Sequence, residues 1–162
     1  MNGIGSHQSA KMLNDEWLTP PEIISDLGPF DLDPCSPINR PWDTAATHLT
    51  VEDNGLLQEW NGFVWCNPPY GLQSVTWLDR MALHNNGIAL IFARTETEMF
   101  FKSVWGKATS VLFIKGRLFF YYIDGSKAKA NAGAPSVLIA YGNEADKRLQ
   151  RSKIKGQYIK LK

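Results

Sequence analysis

Two uninterrupted apolar runs, Phe63-Val64-Trp65-Cys66 and Ile88-Ala89-Leu90-Ile91-Phe92-Ala93, break the mixed polar and apolar pattern of the chain. Runs this short predict strands buried on both faces, as at the centre of a sheet. Between them Val75, Leu78, Met81 and Ala82 recur at helical spacing, predicting a helix over 73–84 that Asn85-Asn86-Gly87 ends. Upstream, Ile23, Ile24 and Leu27 give a first helix its apolar face. Thr19 is its expected N-cap, Pro20 its first helical residue and Glu22, three residues after the cap, completes a capping box, with Gly28-Pro29 as the stop. Phe30 and Leu32 then alternate with Asp31 and Asp33 in a very short strand ended by Pro34.

Residues 37–61 are rich in turn formers, with room for one short strand, His48–Val51, and one helical turn, Leu56–Trp60. Downstream, Thr95-x-x-Glu98 predicts a second capping box and a helix to about Trp105. Ser110–Ile114 and Leu118–Tyr122 read as strands around Lys115-Gly116-Arg117. A polar loop follows from Asp124 to Pro135, and Ser136–Tyr141 reads as a last strand. This order predicts one α/β domain over 15–162, a doubly wound sheet with antiparallel strands at its far edge. Residues 1–14 have no periodic apolar face and read as a flexible arm. Ser6-His7-Gln8-Ser9 leaves open whether that arm closes over a ligand.

Composition narrows the function classes. The 162 residues carry a net charge of +1, so no overall field draws the protein to a polyanion. No run of 18 apolar residues and no basic-then-apolar leader is present, so neither a membrane span nor a secretory signal is expected. Cys35 and Cys66 read as small buried thiols. His7, His48 and His84 stand at no metal-binding spacing, and a metal-free protein is expected. Charge is uneven, however. Residues 147–162 hold seven cations (Lys147, Arg148, Arg151, Lys153, Lys155, Lys160, Lys162) and no acid, which reads either as a phosphate-binding tail or as a solvated one. The 124–135 loop adds Lys127 and Lys129, with the same two readings.

The chemistry concentrates at two strand ends. After Cys66 the chain enters Asn67-Pro68-Pro69-Tyr70-Gly71, where two prolines remove backbone donors and stop strand pairing. The amino group of a nucleobase is a poor nucleophile, because its lone pair is delocalised into the ring. Two acceptors aimed at its hydrogens, the Asn67 side-chain oxygen and the Pro68 carbonyl, would localise that pair and stabilise the charge growing on nitrogen. Tyr70 offers a face on which an extruded base stacks. At the other strand end, Asp33 and its neighbour Asp31 are costly to bury unless a cation or hydroxyls pair with them. No Gly-x-Gly follows that strand, so an ordinary dinucleotide fingerprint is absent.

Asn67-Pro68-Pro69-Tyr70 resembles the signature of amino-group methyltransferases. Other segments join it in order: Ser6-His7-Gln8-Ser9, Asp15-Glu16-Trp17-x-Thr19-Pro20, Phe30-Asp31-Leu32-Asp33-Pro34-Cys35, Asp53-x-Gly55-Leu56, Trp60-x-Gly62, Ala93-Arg94-Thr95-x-Thr97 and Gly116-Arg117-Leu118-x-Phe120. Over nearly the whole chain this set resembles the phage and prophage DNA N6-adenine methyltransferase family. The resemblance implies a shortened class I methyltransferase fold, Rossmann-like, and S-adenosylmethionine as methyl donor. It also implies double-stranded DNA as partner and the cytoplasm of a bacterial host as location. It makes Asn67, Pro68, Pro69 and Tyr70 the catalytic loop, with Asn67 also at the cofactor. Asp31, Asp33, Pro34 and Cys35 become the cofactor motif, Thr19 and Pro20 the contact to the methionine end, and Asp53 the contact to the adenine or ribose. His7, Ser9, Arg94, Arg117, Lys127, Lys129, Lys147, Arg148 and Arg151 make up the DNA-facing set.

Two departures stand against the family pattern. Pro34-Cys35-Ser36 replaces the glycine-rich turn that usually cradles the methionine portion, and no separate target-recognition domain is present. An N4-cytosine, RNA-adenine or protein-glutamine methyltransferase, or a catalytically silent DNA-binding remnant, are the alternatives.

Overall fold

A computed structural model describes residues 17–162. Strands β1 (Leu32–Asp33), β2 (Thr47–His48), β3 (Val64–Cys66), β4 (Gly87–Phe92), β5 (Ser110–Ile114), β6 (Ser136–Tyr141) and β7 (Gly156–Lys160) form one sheet. Its spatial order is β2-β1-β3-β4-β6-β5-β7. The first four lie parallel, and β6, β5 and β7 join by antiparallel pairing. Helices α1 (Pro21–Leu27), α2 (Gln73–His84), α3 (Glu98–Phe100, continued as a π turn over Phe101–Trp105) and α4 (Asn143–Gln150) pack against it.

The apolar runs explain the layering. Trp65, Ile88, Leu90 and Phe92 project to the face covered by α1 and α4, where Ile23, Leu27, Ala145 and Leu149 meet them. Val64, Cys66, Ala89 and Ile91 project to the opposite face, against Leu78 and Met81 of α2, Phe100 of α3 and Val104 of the π turn. The central strands are therefore buried on both sides, as their composition predicts. Leu78 and Met81 are wholly buried, each contributing about 1.5–3 kcal/mol to holding α2 on the sheet. Asn85 ends that helix in the left-handed conformation, at φ 57°.

Five local expectations are corrected. Thr19 does not cap α1: Pro20 takes the N-cap position without a side-chain bond, and Thr19 is buried for another purpose. The second cap is Thr97, not Thr95, and its hydroxyl accepts from the Phe100 amide. The strand near 48 is Thr47–His48 and stops before Thr50. Residues 118–122 form no strand of the sheet; Tyr121 instead makes single bridges to Leu18 and Lys127. Their aromatic content reflects packing, with Phe120 in the core, and not ladder pairing.

The fifth correction concerns residues 147–162, which are no tail. They complete α4 and supply β7, the edge strand paired with β5. Their cations lie on outer faces while Leu149 packs inward, so charge hides the amphipathic pattern. Lys160 and Tyr158 both donate to the buried carboxylate of Asp146, tying the edge strand to α4.

Candidate active site

β1 and β3 are parallel neighbours, so Asp33 and Asn67 emerge at the same edge of the sheet, the carboxyl end where open α/β sheets bind ligands. A cavity of about 750 Å³ opens there. Its walls come from Trp17, Leu18 and Thr19, the 33–38 turn, Thr44, the 50–56 loop, and Trp65, Asn67, Pro69, Gln73 and Trp77.

Asp33 closes one side. Its carboxylate is 4 % exposed and accepts from the Thr44 hydroxyl and, at 3.1 Å, from the Cys35 amide. Burial pushes its pKa up to about 6, although both hydrogen bonds and the Arg40 guanidinium pull the other way. Among the described residues it has no ion-pair partner. Burial also holds the Cys35 and Cys66 thiols protonated, and both cysteines are free.

Asn67 closes the other side. Its amide nitrogen donates to Thr19 Oγ1 at 3.2 Å, which turns Oδ1 away as the remaining acceptor. Thr19 is held in turn: Leu18 and Tyr121 exchange backbone hydrogen bonds of 2.9 and 3.1 Å. The prolines are fixed from below, where Ser74 at the start of α2 donates to the Pro69 carbonyl. Tyr70 stacks on Phe92 with ring centroids 4.6 Å apart and planes 16° from parallel, and the Arg94 guanidinium lies 5.9 Å from the Phe92 ring centre.

The turn after β1 lacks glycine, and a glycine from elsewhere compensates. A Cβ on Gly55 would stand 2.1 Å from the Pro34 carbonyl oxygen, so only glycine lets the 50–56 loop close on the 34–36 turn. Trp60 Nε1 donates to the Gly55 carbonyl and locks that approach.

Of the expected cofactor and catalytic residues, Thr19, Asp33, Pro34, Cys35, Asn67 and Pro69 line the cavity, whereas Pro20, Asp31, Asp53, Pro68 and Tyr70 do not. Asp31 is exposed, and its carboxylate accepts from the Phe63 amide at 2.7 Å, which joins β1 to β3. Asp53 closes a turn by accepting from the Thr50 amide at 2.8 Å, and its neighbour Asn54 reaches the cavity instead. Thr44 is a cavity residue that sequence reasoning missed, and His48 lies behind it, against the Thr44 and Ala45 amides; only their contacts in the fold reveal them.

The expected DNA-facing residues divide. His7 and Ser9 lie outside the described residues. Arg94 follows β4 and Arg117 follows β5, both at the edge that holds Asn67. Lys127 bridges to Tyr121 and lies over the Phe119 ring, and Lys129 is exposed two residues on. Arg148 faces elsewhere. It pairs with Glu144, donates to the carbonyls of Leu27 and Pro29, and lies 3.9 Å over Phe63, near the amino ends of β1 and β3. Arg151 shares Glu144 at 3.7 Å, and Lys147 is exposed on the same helix.

Among the described residues no helix is long and apolar enough to cross a membrane, and no three His, Cys, Asp or Glu side chains are placed to hold a metal. No curated protein and no solved structure matches the chain. The family model for DNA N-6-adenine-methyltransferase (Dam) matches residues 6–155, nearly the full length. With that match joined to the paired strand ends, the chain belongs to the Dam family of DNA N-6-adenine-methyltransferases.

Proposed function

We propose that this protein transfers a methyl group from S-adenosylmethionine to the N6 amino group of adenine in double-stranded DNA, at specific sites. The observation that carries the reading is that Asp33 and Asn67 border one cavity, each oriented by a hydroxyl from another segment. The cavity suits the donor in size, since small-molecule sites run to roughly 300–1,000 Å³. It suits it in chemistry as well. A buried carboxylate with no ion-pair partner among the described residues suits an ammonium group, and Ile38, Leu56 and Trp77 offer an apolar wall. The sheet order, with helices on both faces, supports a shortened class I methyltransferase reading of the fold.

When bound, the donor supplies a methyl group activated on a sulfonium. The chain's own residues do the rest. Asp33 and the Cys35 turn would hold the ammonium end, and Asn54 and Leu56, on the facing loop, would meet the nucleoside end. Asn67 Oδ1 and the Pro68 carbonyl accept from the adenine amino group and stabilise the charge that grows on nitrogen. Tyr70, backed by Phe92, presents its ring to the flipped base. Arg94, Arg117, Lys127 and Lys129 supply phosphate contacts around the mouth, whereas Arg148 is committed to the fold.

Labelled donor offered in parallel to DNA, RNA and protein tests this reading. Label is expected as N6-methyladenine in duplex DNA; label in cytosine, RNA or glutamine, or none, overturns it. Asn67→Ala should lower turnover by roughly two orders of magnitude or more while donor affinity changes much less. Near-normal turnover in that variant would sink the assigned mechanism.

A further inference from the structure

We propose that His48 and Thr44 form a positioning relay that holds the Asp33 carboxylate ready for an alkylammonium group. This deepens the proposed function and rests on that reading only for the identity of the ammonium. β1 pairs with β2 so that His48 stands beside Asp33 in register. The chain before β2 bends back over His48, whose Nε2 faces two backbone amides, Thr44 N at 3.1 Å and Ala45 N at 3.3 Å. One nitrogen can accept from them only in the neutral ring with its proton on Nδ1. This contact fixes the turn that carries Thr44, and the Thr44 hydroxyl donates to Asp33 Oδ2. The Cys35 amide takes Oδ1, so the carboxylate is held at both oxygens by neutral donors.

The relay has a defined direction. A hydrogen bond donated to a carboxylate favours the charged form, the form an ammonium needs. Thr44 therefore works against the burial that raises the Asp33 pKa. The other groups acting on Asp33 are Arg40, which favours ionisation, and the two thiols, which stay neutral. At His48, burial and Arg40 push the pKa down and Asp43 pushes it up. The ring is thus kept neutral, as its acceptor role requires. Acid acts on both members in one direction: it neutralises Asp33 and removes the acceptor from His48.

Carbon-detected NMR titration of the Asp33 carboxyl tests the relay without any ligand. Thr44→Val keeps the shape and removes the hydroxyl, so the Asp33 midpoint should rise by about one unit or more, and Thr44→Ser should restore it. His48→Phe should shift it in the same direction, whereas His48→Gln, which retains an acceptor near Nε2, should not. Calorimetry with S-adenosylhomocysteine at pH 7 should show affinity falling roughly 2- to 10-fold in Thr44→Val and His48→Phe only, following the lost ionised fraction. An Asp33 midpoint unmoved by Thr44→Val overturns the relay, and one moved by Thr44→Val but not by His48→Phe removes His48 from it. If the midpoints move as expected while the wild type binds no S-adenosylhomocysteine, the relay stands and the proposed donor falls.

Discussion

Asp33 and Asp146 are both nearly closed to solvent, 4 % and 5 % exposed, but Asp33 lies deep and Asp146 close to the surface, and burial prevails at the first and is overcome at the second. At Asp146 burial raises the pKa, but hydrogen bonds from Lys160 and Tyr158 outweigh it and hold the carboxyl below its ordinary value. Asp33 has a hydroxyl and an amide as donors, no ion pair among the described residues, and a pKa of about 6. The first carboxylate is completed by the fold. The second is short of one positive charge and faces a cavity. An incompletely paired buried charge at the carboxyl end of a strand is the mark of a binding group; a fully paired one is the mark of a structural tie.

Removing the tie should have the largest effect. A chain ending at Asp146 loses Lys160, Tyr158, the buried Leu149 and the whole edge strand. It is expected to show no cooperative thermal transition, and a cooperative melt near that of the full chain would contradict the structural role. Next come two matched substitutions of opposite sign. Asp146→Asn should destabilise the protein at pH 7, whereas Asp33→Asn should stabilise it, by at most about 3 kcal/mol given the distance from 3.8 to about 6. The same Asp33→Asn protein should bind S-adenosylmethionine more weakly by about 1.5–3 kcal/mol. Denaturant titration and calorimetry on one preparation read both, and stability changes of equal sign would erase the contrast.

The contrast also has a pH signature. The folded pKa of Asp33 lies above its unfolded value, so its favourable contribution is complete below about pH 4 and lost as pH rises through about 6. For Asp146 the folded value is depressed. Its contribution is present above the ordinary carboxylate pKa and disappears as pH falls through the folded one. Stability measured against pH should therefore lose its decline between pH 4 and 6 in Asp33→Asn and its acid limb in Asp146→Asn. The smallest expected effect leaves both carboxylates alone. Thr19→Val releases the Asn67 amide and should cost roughly 2- to 10-fold in turnover, as steady-state kinetics can check.

Much of this was legible in the chain because it depends on neighbours in sequence. The helix over 73–84, the apolar strands and the proline-stopped strand ends follow from local periodicity and backbone chemistry, and they are enough to bring Asp33 and Asn67 to one edge. What was not legible depends on contacts across the chain. Thr19 looks like a helix cap, since nothing nearby in sequence announces that its hydroxyl meets Asn67. Residues 147–162 look like a cationic tail, phosphate-binding or solvated, because Asp146, which pairs with Lys160, lies just before that stretch. His48 has no metal-ligand spacing and so no local signal at all; its role appears only once the chain folds back over it.

The approach of Gly55 to Pro34 has a consequence for which sequences can keep this cavity. A side chain at position 55 would need one loop or the other to retreat, since the obstacle is backbone, which no rotamer change can move aside. The exposed Gly71 is a contrast: among the described residues nothing lies within 4 Å of its would-be Cβ, and its positive φ is the obstacle. In a library of single substitutions position 55 should therefore accept glycine alone for want of space, while any residue at position 71 meets the strain of a positive φ and no steric obstacle. The turn after the first strand carries no glycine, and the position that demands one lies about twenty residues downstream, in a loop that reads as ordinary surface.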